Sequence, residues 1–132
     1  MRQVIYISTA TTSASASDAE PILKVSRHNN ARDGVTGLLY FDGKRFLQAL
    51  EGEMATLDRV LTRIEGDPRH RAIVILSDRE VENREFGAWT MAHRAPGMDG
   101  DRFLERIGAL VANASPMVRA TFTSFAEVRR AA

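Results

Sequence analysis

The sequence predicts one mixed α/β domain of the α+β type, in which two helices cover one face of a β-sheet. Its 132 residues match the size of a single domain, and 44% hydrophobic with 27% charged residues is an ordinary globular composition. Short runs of β-branched and aromatic residues alternate with apolar stripes at helical spacing. The dipeptide Asp42-Gly43 lies between two apolar runs and is a strong signal for a β-hairpin.

The first predicted strand and the first predicted helix lie on either side of a polar loop. Val4 to Ser8 is rich in β-branched and aromatic residues and indicates the strand. The Thr-, Ser- and Ala-rich segment 9–17 forms the loop. Asp18 is the expected cap of the helix, because Pro21 then lies in the first turn, where its missing N–H group costs nothing. We expect this helix to end near Arg32.

A hairpin and a second helix follow. Val35 to Phe41 and Arg45 to Leu50 are the two strands of the hairpin. Apolar residues recur at helical spacing from Met54 to Ile64, and Gly66 with a proline two residues later ends the helix. The alternation of strands and helices therefore continues through the middle of the chain.

Two more strands and two tail helices complete the chain. Ala72 to Leu76 and Phe86 to Met91 have the length and composition of strands. The order β-α-β-β-α-β is the ferredoxin-like arrangement, here β-α-β-β-α-β-β with one strand added. Residues 96–132 carry two apolar stripes that predict two short helices, the second opening at Ser115-Pro116. We therefore divide the chain into a domain over 1–95 and this C-terminal helical extension.

The third strand is apolar on both of its faces. Phe46 and Leu50 point to one side, and Leu47 and Ala49 point to the other. A sheet with one face open to water alternates apolar and polar residues, so both faces of this sheet need a cover. The first two helices cover one face, and we expect the other to meet the tail helices or a second protein molecule. The pattern therefore predicts a homo-oligomer.

Composition excludes several classes of function. Eighteen basic and 17 acidic residues give a net charge of +1, which argues against a nucleic-acid binder or a polybasic membrane binder. The chain has no cysteine, and so no disulfide, thiolate nucleophile or thiolate-bound metal. No stretch approaches the roughly 20 apolar residues of a membrane span, and no signal peptide is recognisable. We expect a cytoplasmic protein.

The common catalytic templates are absent. The chain contains no GxGxxG or GxxxxGK[ST] phosphate loop and no GxSxG elbow. The three histidines, His28, His70 and His93, are widely spaced and form no HxxxH or HExxH pair. We therefore predict no metal site and no hydrolase of these types.

Two polar side chains are predicted to enter the core of the sheet. Gln48 lies between Phe46 and Leu50 on one face of its strand, so its amide points under the helices. Tyr6 lies on the first strand, which pairs centrally in a ferredoxin-like sheet, and Tyr6 and Gln48 are then neighbours. The alternatives are a Gln48 that bonds a backbone group or is partly exposed, and a Tyr6 that is an ordinary core residue.

The stripe of the first helix that is predicted to face the sheet begins with apolar residues and continues with polar ones. Ile22, Leu23 and Val25 begin the stripe, and hydroxyl and amide side chains continue it at Ser26 and at Asn29-Asn30. One explanation is a helix end that emerges into water. The other is a flat polar heterocycle held between the helices, whose edge bonds these side chains and Gln48.

Four segments together resemble a known family. They are VIYIS around Tyr6, SRHNNARDGVTGLLYFDGKRFLQALEG, DPRHRAIVIL and REFGAWTMA. In this order and spacing they are similar to the BLUF domain, the flavin-binding module that senses blue light, over about residues 1–95. The resemblance implies FAD, with FMN as the alternative, held non-covalently between the two helices.

The resemblance also implies roles for individual residues. Tyr6 would be the photochemical donor of an electron and a proton, and Gln48 the switch that bonds both Tyr6 and the flavin. Trp89 and Met91 match a pair on the last strand that changes position with the glutamine. The remaining implied contacts with the cofactor are Ser26, Asn29, Asn30, Arg32 and His70.

The implied function is that of a photoreceptor without enzymatic activity, which signals to a partner protein. Two alternatives use the same pocket. One is a small ferredoxin-like enzyme or regulatory module of the acylphosphatase type, for which Arg69-His70-Arg71 is the local basic cluster. The other is a flavin-binding protein without photochemistry.

Overall fold

A computed structural model describes residues 1–11, 19–68, 70–93 and 99–130, with backbone only at 19–23, 70, 93 and 128–130. The predicted helix cap at Asp18 and the predicted boundary between residues 95 and 96 lie outside the described residues. The elements are β1 (Arg2–Ala10), α1 (Ala19–Asp33), β2 (Thr36–Phe41), β3 (Arg45–Gly52), α2 (Met54–Glu65), β4 (His70–Glu80), β5 (Trp89–His93), α3 (Gly100–Leu110) and α4 (Pro116–Arg130). Within these ranges, no helix is long and apolar enough to cross a membrane.

The five strands form one sheet in the order β4-β1-β3-β2-β5. β1 is antiparallel to both β3 and β4, and β2 is antiparallel to β3. The β1-α1-β2 connection crosses over β3, so β3 occupies the place between β1 and β2. β5 is added parallel to β2 at the edge. The predicted ferredoxin-like fold with an additional strand is confirmed.

The last two strands differ from their predicted bounds. β4 is longer than the run from Ala72 to Leu76, because its polar end also pairs with β1, with Arg79 opposite Gln3. β5 starts at Trp89 instead of Phe86, whose backbone N–H donates to a carboxylate oxygen of Glu51 at 3.0 Å. The pairing of β4 with β1 also shifts register at two points, and Ala72 in β4 has a positive φ of 53°.

Each face of the sheet has its own apolar core. The site face, which carries Tyr6, Leu50 and Trp89, packs under α1 and α2. The tail face packs against α3 and α4, where Tyr40 lies 5.5 Å from Phe103 between ring centroids. The tail helices thus cover the second face of β3. The two-sided apolar pattern therefore requires no second molecule, and this ground for a homo-oligomer is removed.

Gly37 is a position where the sheet tolerates no side chain. A Cβ atom there would lie 1.9 Å from the backbone oxygen of Ala49, and φ is +152°. We expect Gly37→Ala to lower the free energy of unfolding by about 3 kcal/mol or more, because the backbone of β2 or β3 must shift. Urea unfolding monitored by circular dichroism measures the loss. Gly87→Ala is the control, since nothing lies within 4 Å of its Cβ position, and equal midpoints for the two variants would contradict the expectation.

Candidate functional site

A cavity of about 200 Å³ lies between the site face of the sheet and the helices α1 and α2. It opens beneath the two helices over the central strands, where one of the two explanations for the polar half of α1 places a heterocycle. Its lining side chains are Tyr6, Leu39, Phe46, Gln48 and Leu50 from the sheet, Val25, Ser26, Asn29 and Asn30 from α1, and Val60, Arg63, Ile64 and Asp67 from α2 and the turn that follows it.

Gln48 bridges two aromatic side chains at the floor of this cavity. Tyr6 and Gln48 are direct partners in the register of β1 and β3. The Gln48 amide donates from Nε2 to the Tyr6 hydroxyl oxygen at 2.5 Å, and its Oε1 accepts from Trp89 Nε1 at 3.0 Å. All three residues are at most 5% exposed. The prediction that Tyr6 and Gln48 are neighbours is confirmed, and the alternatives of a backbone partner or partial exposure for Gln48 are wrong.

Burial governs the acidity of the Tyr6 phenol. It raises the pKa of Tyr6 above the ordinary value of about 10, and the Asp67 carboxylate acts in the same direction. The hydrogen bond from Gln48 opposes this shift without cancelling it. Tyr6 therefore holds its proton throughout the neutral pH range.

This shift predicts that the protein loses stability in alkali. The folded state keeps the Tyr6 phenol protonated, whereas the unfolded chain releases the proton above a pH of about 10. The contribution of Tyr6 is therefore fully present below that pH and declines as the pH rises towards the pKa of the folded state. Denaturant unfolding of the wild type and of Tyr6→Phe between pH 8 and pH 11, roughly the range that spans free tyrosine ionisation, measures it. A wild type whose stability declines no more steeply than that of the variant would contradict the shift.

The amides of α1 supply the polar wall of the cavity. Asn30 is 7% exposed, and its backbone oxygen accepts from Val35 N–H at 2.8 Å, which fixes the end of the helix. Its side-chain amide makes no hydrogen bond with any described residue. Leaving such a buried amide without a partner costs about 1–3 kcal/mol for each polar group. Asn30 therefore fits a ligand with hydrogen-bonding edge atoms, as the flavin ring has, with Ser26 and Asn29 half-buried beside it.

The other predicted residues are distributed around this centre. Met91 is buried in the site-face core without lining the cavity, two residues beyond Trp89 on β5. Arg32 is exposed and pairs with Asp33 at 3.0 Å, away from the cavity lining. His70 begins β4 opposite Ala10, and its side chain is outside the described part of the structure. The structure therefore brings together Tyr6, Gln48 and Trp89, and the α1 amides beside them, but not Arg32.

Sequence reasoning missed two charged residues that line the cavity, Arg63 and Asp67. Arg63 also pairs with Asp33 at 3.0 Å, so it reaches from α2 to the end of α1. For Arg63 the signal was present in the helical spacing, because it lies three residues after Val60 and next to Ile64 on the same face of α2, whereas Asp67 follows the end of the helix and this spacing does not reach it.

Comparisons with known proteins agree with this geometry. A family model described as "BLUF: Sensors of blue-light using FAD" matches residues 1–92. The photoactivated adenylate cyclase subunit alpha of Euglena gracilis is 31% identical over 94 residues, which are 69% of this chain and 9% of that protein. The dark-state structure of BlrB, a BLUF protein, is 26% identical with a TM-score of 0.68, and the match covers 96% of each chain. Klebsiella pneumoniae BlrP1, in a structure with FMN and cyclic diGMP, is 30% identical with a TM-score of 0.63, over 70% of this chain and 25% of that one.

The family match extends from β1 through most of β5 and contains every described residue that lines the cavity. The tail helices α3 and α4 lie beyond it. The chain belongs to the BLUF family, the sensors of blue light using FAD.

Proposed function

We propose that this chain senses blue light through a hydrogen-bond switch at Gln48, with FAD held between α1 and α2. The observation that carries the proposal is the buried Gln48 amide, which bonds Tyr6 with one end and Trp89 with the other beside the cavity. An amide is suited to the task because it presents a donor and an acceptor that exchange places on rotation.

We assign the cofactor contacts from the cavity lining. Asn30 would bond the edge of the flavin ring, with Ser26 and Asn29 beside it, and Arg63 and Asp67 would face it from α2. FAD, when bound, supplies the absorption of blue light and a strongly oxidising excited state. Tyr6 would act as the donor of an electron and a proton, and His70 and Arg32 remain more distant contacts in this proposal.

Rotation of the Gln48 amide has a consequence for Trp89. At present Nε2 faces the Tyr6 hydroxyl, and Oε1 accepts from the Trp89 indole N–H. A half turn brings Oε1 to Tyr6 and places the Nε2 donors against the indole N–H, which is also a donor. Two donors repel, and Trp89 then has to leave its present position. The amide rotation thus becomes a displacement at the start of β5, where Met91 follows on the same face.

We propose that the output of the chain is a contact with a partner protein, without catalysis of its own. The relative from Euglena gracilis is a photoactivated adenylate cyclase subunit, of which this chain covers 9%. We divide the chain into the sensor over 1–95 and a helical extension over 96–132. We assign the whole chain to the cytoplasm, and we propose neither nucleic acid nor a membrane as its partner. Within the extension, α3 and α4 cover the tail face of the sheet, and we propose that they make the partner contact.

We also propose that the chain forms a homo-oligomer. The support is now an apolar group on the edge strand β4, where Val74, Ile75 and Leu76 are each about half exposed. Successive side chains of a strand point to opposite faces, so these three leave apolar surface exposed on both sides of this edge, and exposed apolar surface is typical of protein interfaces. Multi-angle light scattering should give a mass above the 14.6 kDa of one chain. A monomer at micromolar concentration would remove this part of the proposal.

The absorption spectrum of the purified protein, in the dark and under blue light, tests the proposed sensing function. We expect a yellow protein whose flavin band shifts reversibly to the red on illumination. A protein that stays colourless after refolding with FAD would overturn the assignment of the cavity. Bound flavin with no shift would favour a flavin protein without photochemistry, and extraction of the cofactor followed by chromatography distinguishes FAD from FMN.

Asn30→Ala tests the proposed polar wall. We expect its affinity for FAD to fall about tenfold, because one hydrogen bond to the ring is lost without disturbing the sheet. Titration of the apoprotein with FAD, followed by flavin fluorescence, measures the change. Asn83→Ala, on an exposed position of the loop between β4 and β5, is the matched control. Equal affinities for the two variants would contradict the assignment of Asn30.

A further inference from the structure

A buried polar network closes one end of the tail face, where the rest of the face is apolar. Gln3 on β1 and Glu51 on β3 are both fully buried and lie opposite each other in register. Gln3 Nε2 donates to Glu51 at 3.0 Å and to Glu85 at 2.5 Å, so one amide joins two carboxylates. Arg79 donates to Gln3 Oε1 at 3.0 Å and to the Glu85 carboxylate at 3.1 Å, so a guanidinium belongs to the same network. The network therefore joins β1 and β3 to the segment before β5 and to the start of α4.

Glu51 holds the backbone that leads into β5. Its carboxylate accepts from the backbone N–H groups of Glu85 at 2.7 Å and Phe86 at 3.0 Å, and from the Thr36 hydroxyl at 3.0 Å. Trp89 begins β5 three residues after Phe86. Gln48 lies on the same strand as Glu51 and holds the Trp89 indole from the other face. The start of β5 is thus attached to β3 on both faces of the sheet.

Glu85 connects this same backbone to α4. Its carboxylate accepts from the backbone N–H of Ser115 at 3.1 Å, immediately before the first residue of α4. Arg79 donates from Nη2 both to the Glu85 carboxylate at 3.1 Å and to the Ser115 hydroxyl at 3.2 Å. A shift of residues 85–88 would therefore move an acceptor on which the start of α4 depends.

We propose that Glu51 and Glu85 form the link through which the state of the Gln48 and Trp89 pair reaches α4. Glu51 fixes the segment before Trp89 to β3, and Glu85 transmits any displacement of that segment to Ser115. Both are positioning residues, since neither lines the cavity. This proposal rests on the proposed light-sensing function in one respect, which is that light triggers the change at Gln48. The hydrogen bonds that form the link are present in the structure.

Amide hydrogen exchange of the full chain with FAD, in the dark and under blue light, tests the link. In the wild type we expect illumination to raise exchange at residues 115–121 by about twofold or more. Glu85→Gln keeps the size of the side chain but replaces one acceptor oxygen by a donor. It should retain the flavin red shift and lose the response at 115–121. Glu82→Gln, an exposed carboxylate of the same loop, is the matched control and should behave as the wild type.

Each result decides the proposal. A light response at 115–121 that persists in Glu85→Gln, or a wild type with a red shift but no response there, would overturn the link. If the wild type shows no red shift, the proposed function fails, and the dark measurements alone then test the link. In the dark, Glu85→Gln should raise exchange at both 82–88 and 115–121 relative to Glu82→Gln. Unchanged exchange at 115–121 would show that Glu85 does not hold α4.

Discussion

Tyr6→Phe is expected to bind FAD as the wild type does and to lose the light-induced red shift entirely. Phenylalanine keeps the ring that packs in the site-face core and removes only the hydroxyl that accepts from Gln48. Without that hydroxyl, the amide has no phenol to bond in either of its orientations. The protein also loses its nearest phenolic donor of an electron and a proton. Difference absorption spectra under blue light measure the effect.

Tyr40→Phe is the matched control, since Tyr6 and Tyr40 are the two tyrosines of the chain. Tyr40 lies on the tail face, where its hydroxyl bonds Asp42 at 3.2 Å and its ring packs against Phe125. We expect this variant to keep the red shift in full. A normal photocycle in Tyr6→Phe would remove Tyr6 from its assigned role, and loss of the shift in both variants would indicate a nonspecific effect of removing a hydroxyl.

Gln48→Leu is expected to abolish the red shift and to lower stability at the same time. Leucine fills much of the space but offers neither a donor to Tyr6 nor an acceptor to the indole N–H of Trp89. Loss of a partner for the buried indole N–H costs about 1–3 kcal/mol. Trp89 fluorescence and denaturant unfolding measure the second effect, and difference spectra measure the first.

The two effects of Gln48→Leu can be separated by a second variant. Trp89→Phe removes the indole N–H and leaves the bond between Gln48 and Tyr6 in place. We expect it to keep a red shift, because the amide still has its phenol partner. A Gln48→Leu protein with a wild-type photocycle would exclude the amide as the switch. Equal loss of the shift in both variants would place the essential contact at the hydrogen bond between Gln48 and Trp89.

Local pattern was enough to predict the fold. Strand runs, helical stripes and the Asp42-Gly43 hairpin signal are short-range features, and the ferredoxin-like order then limits the possible pairings. The ferredoxin-like strand order is also the basis on which Tyr6 and Gln48 are predicted to be neighbours. The start of β5 was predicted too early because Phe86 has the composition of a strand residue, whereas its N–H is taken by the Glu51 carboxylate. The sequence around Phe86 does not reveal that a carboxylate from another strand binds its N–H group.

Parts of the site depend on contacts that no single segment encodes. The bond between Trp89 and Gln48 requires β5 to add to β2 in parallel, so that the two side chains meet across β2. The helical spacing places Arg63 on the same face as Val60 and Ile64, but only the cavity beneath that face shows that Arg63 and Asp67 belong to the site. The network of Gln3, Glu51 and Glu85 joins three separated parts of the chain and was not predicted at all.

The irregular pairing of β4 restricts how two copies of this protein can meet. An edge strand with free backbone groups invites another strand to extend the sheet, and natural proteins interrupt such edges with bulges. The two register shifts against β1 and the left-handed backbone at Ala72 interrupt this edge. A second copy can then pack against the exposed side chains of Val74, Ile75 and Leu76, but it cannot easily pair with the backbone of β4 as an added strand. An assembly through this edge would be a side-chain contact that can dissociate, rather than a continuous sheet that grows into fibres.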